Sequence, residues 1–284
     1  EIMAALFSFL SLILAYHYLL NKKRLMGITA AIAVFLAILS KENSLTFLVI
    51  IPLAGYFFSV KKWKEILQAS APILVATALY FLFRIAVIGD LFESGNSSLS
   101  ESLLNNPFAG ASASEKYATI FLTLTKYIQL LFFPHPLSHD YYPMQIPVVS
   151  WSDYRALLGL VIYAALAYIA FRQFKKKSLL SFAILFYLGT ILITSNLIVG
   201  VGTFMNERFL FLPSFAFCLV LAFGLVKQLP QLSADNKKPL LMVSSIILLG
   251  ISAGYAFKTI DRVPDWENPF TLNQSAVKAS PKSI

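Results

Sequence analysis

Charged residues are scarce in this sequence of 284 residues. Only 13% of them are charged and 58% are hydrophobic, whereas a soluble domain has about 25% charged and about 45–50% apolar residues. The mean hydropathy is +0.72, and several apolar runs approach the length that crosses a bilayer. The composition therefore excludes an ordinary soluble domain and indicates a polytopic membrane protein.

Cysteine and the motifs of soluble nucleotide chemistry are also missing. The single cysteine, Cys218, excludes an internal disulfide framework and a cysteine-based metal site. The sequence contains no GxGxxG, P-loop, HExxH or Ser–His–Asp pattern. His135 and His139 are four residues apart, but Pro136 breaks the helix that would bring both to one face, so we predict no metal site.

The start of the chain lies inside an apolar segment. Glu1 is followed directly by apolar residues, without a polar n-region or a cleavage site. We therefore interpret the chain as a fragment of a larger protein rather than as one that begins with a signal peptide.

The apolar runs predict an all-α polytopic membrane protein. We expect eight spans, at 2–20, 25–39, 45–60, 66–87, 155–171, 178–199, 208–226 and 239–257. A ninth apolar stretch, 117–133, carries Lys126 near its middle and ends at Pro134. Because both its flanks are predicted on the same side, this stretch is expected to be an interfacial amphipathic helix or a re-entrant one.

Basic residues are concentrated in four connections between the spans. These connections hold 13 of the 23 Lys and Arg but only two of the 14 acids, and they are 21–24, 61–65, 172–177 and 227–238. The positive-inside rule places them in the cytoplasm. The net charge of +9 then reflects topology and gives no indication of nucleic-acid binding. The stretch 88–154, the connection 202–208 and the tail 258–284 are expected on the outer side, in the periplasm or the ER lumen.

Ionisable residues cluster at the predicted outer boundary. Charges at or inside the bilayer are costly and are therefore functional candidates. The candidates are Lys41 and Glu42 in "LSKENS", Arg84 in "YFLFRIAVIG", and Glu207 and Arg208 in "NERFLFLPS". The cations could bind a lipid phosphate, which arginine holds through two parallel hydrogen bonds. The alternatives are a lysine with its own counter-ion and a structural ion pair between Glu207 and Arg208.

An outer loop and the polar tail complete the candidate regions. The segment "FFPHPLSHDYYPMQIP" (132–147) contains four prolines, His139, Asp140 and two tyrosines. It predicts a rigid loop over a sugar or peptide cleft, or alternatively a purely structural lid. Residues 258–284 are polar and helix-capable, and we interpret them as an outer-side tail that leads into a helical repeat array, distinct from a transmembrane domain at 1–257.

Taken in order, these motifs resemble a known family over most of the chain. The chain is similar to the transmembrane and tetratricopeptide-repeat protein O-mannosyltransferases and their bacterial relatives. The resemblance is carried by "LSKENSLTFL", by residues 105–147 with "LSHDY", by "NERFLFLPSFAFC" (206–218) and by "DWENPFTLNQSAVKASPKSI". The third segment departs from the family signature at Phe211, where the family has Tyr, and at Ala216, where it has Gly.

The resemblance implies an integral-membrane glycosyltransferase with a GT-C-like helix bundle. The implied donor is a polyprenyl- or dolichyl-phosphate sugar, mannose in eukaryotes, and the acceptor is a Ser or Thr hydroxyl of a protein on the outer face of a bacterial inner membrane or on the lumenal face of the ER. No other cofactor is implied. The donor phosphate would be bound by Lys41, Arg84 and Arg208, with Glu42, Glu207, His139 and Tyr141 in support.

The principal catalytic acid of the family lies in a first outer loop, which would precede residue 1. Glu1 and Asp140 are lesser candidates within the chain. Two other functions stay open: a transporter or flippase of lipid-linked sugars, and an inactive membrane anchor that presents a tetratricopeptide-repeat module. The absence of an inverted repeat and the position of the charges at the outer boundary favour the transferase.

Overall fold

The described part of the chain is built from helices. A computed structural model describes residues 1–88, 106–141, 145–231 and 237–281. Within these ranges the regular structure is α-helix, with short 3-10 and π turns, which confirms the all-α prediction. The chain divides into two compact units. Unit 1 comprises Glu1–Ser102 and Ala167–Ile193, and unit 2 comprises Leu103–Leu166 and Thr194–Ile284.

The helices follow the predicted apolar segments. In chain order they are α1 Ile2–Asn21, α2 Arg24–Ser40, α3 Phe47–Phe58, α4 Trp63–Ile88, α5 Ala113–Phe132, α6 Tyr154–Phe174, α7 Leu179–Leu192, α8 Phe211–Phe223, α9 Lys237–Arg262 and α10 Pro269–Ala279. Helix α8 continues through a π turn, Gly224–Gln228, and a short helical turn, Leu229–Gln231.

Five of the described segments are long and apolar enough to cross a membrane. They are Ile2–Asn21, Trp63–Val87, Tyr154–Phe174, Glu207–Gln231 and Lys238–Trp266. The other three predicted spans coincide with shorter apolar helices, Arg24–Ser40, Glu42–Phe58 and Leu179–Leu192. Each predicted span therefore contains an apolar helix, and the number of crossings stays a prediction.

The predicted span 178–199 is wrong at its C-terminal end, because helix α7 stops at Leu192. Asn196 explains why the helix ends before the predicted span does. It adopts a left-handed backbone conformation with φ of 63°, and its amide Nδ2 donates to the carbonyl oxygen of Thr203 at 2.9 Å, while Oδ1 accepts from the backbone N–H of Val201 at 3.0 Å. An asparagine that closes a loop in this way competes with helix formation.

Unit 1 packs small residues between its first two helices. The buried face of α1 consists of alanines and serines, and the hydroxyl of Ser11 donates to the carbonyl oxygen of Ala30 on α2 at 2.9 Å. Small residues let two helix backbones approach closely, which replaces the hydrophobic driving force that lipid does not supply. Phe9, Phe47 and Phe186 add an aromatic cluster from α1, α3 and α7.

Unit 2 is organised around helix α5, the predicted stretch 117–133. Its N-terminus carries a capping box, in which Ser112 and Glu115 bond each other's backbone N–H. The middle of α5 is buried, and the ring of Tyr127 is completely enclosed. The helical prediction is confirmed, and the choice between an interfacial and a re-entrant placement stays open.

The outer loop and the tail are described in part. The predicted outer stretch 88–154 lies partly outside the described residues, at 89–105 and 142–144. Helix α9 runs past the predicted end at 257, to Arg262, and the tail forms α10, which Asn268 caps with its side chain. The predicted helix-forming tail is therefore present over Pro269–Ala279.

Gly159 sets the distance between α5 and α6 in unit 2. A Cβ atom at this position would overlap the carbonyl oxygen of Phe121 and the hydroxyl of Thr125. That hydroxyl also donates to the carbonyl oxygen of Arg155 at 2.9 Å, so the two helices are joined at the same level. A methyl group here has to push the helices apart.

We expect Gly159→Ala to lower the free energy of unfolding by about 1–3 kcal/mol, the usual range for overpacking. The measurement is thermal unfolding of the purified protein in detergent. Gly250→Ala is the matched control, because Gly250 lies in helix α9 with nothing near its Cβ position. There the better helix propensity of alanine should leave stability unchanged or raise it by up to about 1 kcal/mol. Equal effects of the two substitutions would contradict the close approach at Gly159.

Candidate functional site

In unit 1, "LSKENS" forms a turn between α2 and α3. Lys41 is extended, with φ of −166° and ψ of 133°, and Glu42–Thr46 is a 3-10 turn. The ammonium group of Lys41 forms an ion pair with the carboxylate of Glu1. The carboxylate of residue 1 is therefore the counter-ion of this lysine. A lysine paired with a counter-ion is one of the arrangements that the sequence left open.

Arg84 reaches the same turn from helix α4. Its Nη1 donates to the carboxylate of Glu42 and, at 3.2 Å, to the hydroxyl of Tyr80 one turn earlier. These side chains line a cavity of about 610 Å³, together with Lys41 and Phe83. The structure thus brings together two of the three predicted phosphate-binding cations, each beside a carboxylate.

In unit 2, "NER" forms a second turn. Asn206 caps the 3-10 turn Glu207–Leu210, as expected for a residue with a short polar side chain at this position. Its Oδ1 accepts from the backbone N–H of Arg208 at 3.0 Å and from Nε of the same arginine at 3.1 Å. Arg208 is exposed, and within the described residues no carboxylate forms an ion pair with its guanidinium. Its two terminal nitrogens are thereby held at the surface.

Asn206 and its neighbour Thr203 also hold the outer loop. The amide Nδ2 of Asn206 donates to the carbonyl oxygen of His139, and its backbone N–H donates to the hydroxyl of Tyr127 at 3.0 Å. Thr203 donates to the carboxylate of Asp140 at 2.9 Å. The segments "LSHD" and "NER", which are far apart in the sequence, therefore form one site in unit 2.

Tyr141 is buried in this site, and His139 is half-buried. Burial, followed by the nearby carboxylate of Glu207, raises the pKa of the Tyr141 hydroxyl to about 12. The phenol is therefore neutral at physiological pH and can donate a hydrogen bond. Nδ1 of His139 is buried without a hydrogen-bond partner among the described residues.

Glu207 is directed away from Arg208. Its carboxylate forms an ion pair with Arg262 at 3.0 Å, and the two side chains are only 13% and 12% exposed. Arg262 also donates from Nη1 to the carboxylate of Asp265 and to the hydroxyl of Ser275, both at 2.8 Å. The expected contact, in which Glu207 orients the guanidinium of Arg208, is replaced by the bond from Asn206.

The residues that sequence reasoning missed are the partners of the predicted ones. Asn206 was visible as a cap-forming residue directly before the charge pair, but Arg262 and Ser275 carry no local signal. The unit 2 site offers a surface guanidinium, that of Arg208, a fixed carboxylate, that of Asp140, and a neutral phenol, that of Tyr141. Within the described ranges, no three His, Cys, Asp or Glu side chains come together in a way that could hold a metal ion.

Several curated proteins are similar to the chain. The protein O-mannosyl-transferase Tmtc3 of Drosophila melanogaster is 26% identical over 203 residues, which is 69% of the chain and 22% of that protein. The protein O-mannosyl-transferase TMTC3 of Mus musculus is 29% identical over 62% of the chain and 19% of its own length. The protein O-mannosyl-transferase TMTC1 of the same species is 30% identical over 60% of the chain and 19% of its own length.

The chain spans about a fifth of the length of these relatives. No family model and no solved structure matches it. The five long apolar helices and the similarity to these transferases together identify an integral membrane protein. The similarity confirms what the ordered motifs predicted: the chain is related to the transmembrane and tetratricopeptide-repeat protein O-mannosyltransferases.

Proposed function

We propose that the chain is the membrane-embedded part of a glycosyltransferase. The enzyme transfers a mannose-like sugar from a polyprenyl- or dolichyl-phosphate donor to a Ser or Thr hydroxyl of a protein. The reaction takes place on the outer face of the membrane, in the periplasm or in the ER lumen. The proposal includes eight membrane crossings arranged as a GT-C-like bundle.

One structural observation supports this proposal. Two of the motifs that carry the resemblance to the transferases, "LSHDY" and "NERFLFLPS", are joined in unit 2 through Asn206 and Thr203. Their junction presents the guanidinium of Arg208 at the surface. The printed names of the relatives describe protein O-mannosyl-transferases, and sugar transfer from a lipid phosphate needs a cation at the leaving phosphate.

In this proposal Arg208 binds the leaving phosphate. Asn206 fixes Nε of the arginine, so the two terminal nitrogens can form parallel hydrogen bonds to phosphate oxygens. The charge of the leaving group increases as the sugar departs, and a preorganised arginine stabilises that charge more in the transition state than in the ground state.

A carboxylate has to accept the proton of the attacking hydroxyl. Glu1 is paired with Lys41, and Asp140 accepts hydrogen bonds from Thr203 and from the backbone N–H of Tyr141, at 2.9 and 2.7 Å. Both carboxylates are thus engaged in positioning contacts. In this proposal the principal acid lies upstream of residue 1, as the family resemblance implies, and Lys41 and Arg84 are the proposed phosphate contacts of unit 1.

We expect Arg208→Ala to lower the rate of sugar transfer by at least about 100-fold, the usual loss for one preorganised charge-stabilising donor. Transfer from a radiolabelled polyprenyl-phosphate sugar to an acceptor peptide is measured in proteoliposomes that contain the full-length protein, because the principal acid is expected upstream of residue 1. Arg208→Lys should restore little activity, because lysine lacks both the fork of donors and the Nε that binds Asn206. Arg172→Ala, an exposed arginine of a predicted cytoplasmic loop, is the control and should retain activity. Normal transfer by Arg208→Ala would refute the phosphate role.

Glu207→Ala is expected to act on stability. Removing one partner of a buried ion pair costs about 3–5 kcal/mol. We expect about 2–3 kcal/mol here, because Arg262 keeps its bond to Asp265. Thermal unfolding of the purified protein measures the loss, and Arg208→Ala should leave the transition unchanged. A stable Glu207→Ala protein would contradict the structural role of the pair.

The orientation is testable by cysteine labelling in a Cys218→Ser background. Phe204 is only 3% exposed, whereas Ile198, which lies beyond the end of α7 at Leu192, is 71% exposed. Ile198→Cys should react with a membrane-impermeant maleimide in sealed vesicles whose outer face is exposed. Lys176→Cys, in a predicted cytoplasmic loop, should react only after permeabilisation. The reverse pattern would overturn the proposed orientation.

A further inference from the structure

An apolar groove lies between helices α2 and α4 of unit 1. Its volume is about 600 Å³, and its walls include Ile28, Ile32 and Phe35 on α2 and Val75, Leu79 and Phe83 on α4. On each helix these residues are spaced three or four apart, so they form one line along the helix. Phe35 contacts Phe83, and Glu42, just after α2, pairs with Arg84 near the end of α4, so the C-terminal ends of the two helices lie together and the helices run in the same direction.

The groove continues into the charged cavity at the end of α2. Phe83 lines both the groove and the cavity that contains Lys41, Glu42, Tyr80 and Arg84. The groove extends along α4 from Gln68 to Phe83, a rise of about 22 Å at about 1.5 Å per residue. The two cavities together form an apolar channel that ends at two cations.

Arg84 has hydrogen-bonding capacity to offer at that end. Glu42 and Tyr80 both bind its Nη1. Within the described residues, Nε and Nη2 have no hydrogen-bond partner. A guanidinium that is oriented on one side and open on the other suits a phosphate group, which accepts two parallel hydrogen bonds.

An amphiphile with a long apolar chain and a phosphate head matches this arrangement. The apolar chain of the ligand covers the side chains of the groove and shields them from other lipids. The concave shape of the groove favours one bound ligand over a fluid lipid layer. The phosphate would accept hydrogen bonds from Nε and Nη2 of Arg84, the donors that Glu42 and Tyr80 leave open. A free phosphate ion would leave the apolar part of the channel unused.

We propose that the groove between α2 and α4 binds the isoprenoid chain of a polyprenyl phosphate, with its phosphate at Arg84. This inference rests on the proposed function for the identity of the lipid. It assigns the binding site for the isoprenoid chain to unit 1 and specifies which face of α4 contacts the lipid.

The test compares two neighbouring residues of α4. Val75 lines the groove and is 60% exposed, while Leu74 does not line it and is 57% exposed. Each is replaced by tryptophan in protein reconstituted into nanodiscs, and binding of a radiolabelled polyprenyl phosphate is measured by scintillation proximity. We expect Val75→Trp to raise the Kd at least tenfold and Leu74→Trp to change it less than twofold. Equal effects, with both proteins folded by circular dichroism, would overturn the proposal.

A second measurement tests the phosphate end of the channel. Arg84→Gln should raise the Kd for polyprenyl phosphate about tenfold and leave the Kd for the uncharged polyprenol unchanged. Competition distinguishes the possible ligands. Unlabelled polyprenyl phosphate should displace the probe, whereas inorganic phosphate and a diacyl phosphatidylglycerol should not. Displacement by phosphatidylglycerol would show that the groove binds phospholipids. Displacement by inorganic phosphate would show that the isoprenoid chain of the ligand is not needed for binding. Either result refutes the proposal.

The outcome is separable from that of the proposed function. Selective weakening of binding by Val75→Trp, in a full-length protein that transfers no sugar, would support the groove and contradict the transferase. Sugar transfer by the unsubstituted protein, with equal binding by Val75→Trp and Leu74→Trp, would contradict the groove alone.

Discussion

The side-chain amide of Asn206 joins the "NER" turn to the outer loop, and the geometry of the unit 2 site depends on its bonds. The oxygen holds Arg208 and the nitrogen holds the backbone at His139, while the adjacent N–H is bonded to Tyr127. A buried amide left without partners costs about 1–3 kcal/mol. The requirement to satisfy this amide therefore selects one arrangement of the outer loop against the "NER" turn.

The charged candidate residues of the two units differ in their partners. In unit 1 both predicted cations have carboxylate partners, Lys41 with Glu1 and Arg84 with Glu42. In unit 2 the carboxylate of Glu207 pairs with Arg262, which leaves Arg208 with a neutral amide partner. An arginine fixed by a neutral group keeps its full charge for a ligand. This difference separates Arg208 from the other candidates more clearly than its position in the sequence did.

Hydropathy predicted the helices because an apolar run in a membrane has few alternatives to helix. It did not predict that α7 ends at Leu192, since this depends on bonds from Asn196 to residues up to Phe204. The sequence motifs also indicated Glu207 and Arg208, but adjacency suggested that these two residues pair with each other. The true partner, Arg262, lies 55 residues further on, and only the packed structure brings it close. Local patterns thus identify the candidate residues, and tertiary contacts decide their roles.

The hydrogen bonds of Arg262 have a mechanical consequence. One guanidinium binds the "NER" turn through Glu207 and helix α10 through Ser275, and the Ser275 hydroxyl in turn donates to Asp265 at 2.8 Å. Displacing α10 would break the hydrogen bond between Ser275 and the Arg262 guanidinium, whose Nε is already buried without a partner. A displacement of α10 would therefore also disturb the turn that contains Arg208, because the side chain of Arg262 bonds to both segments.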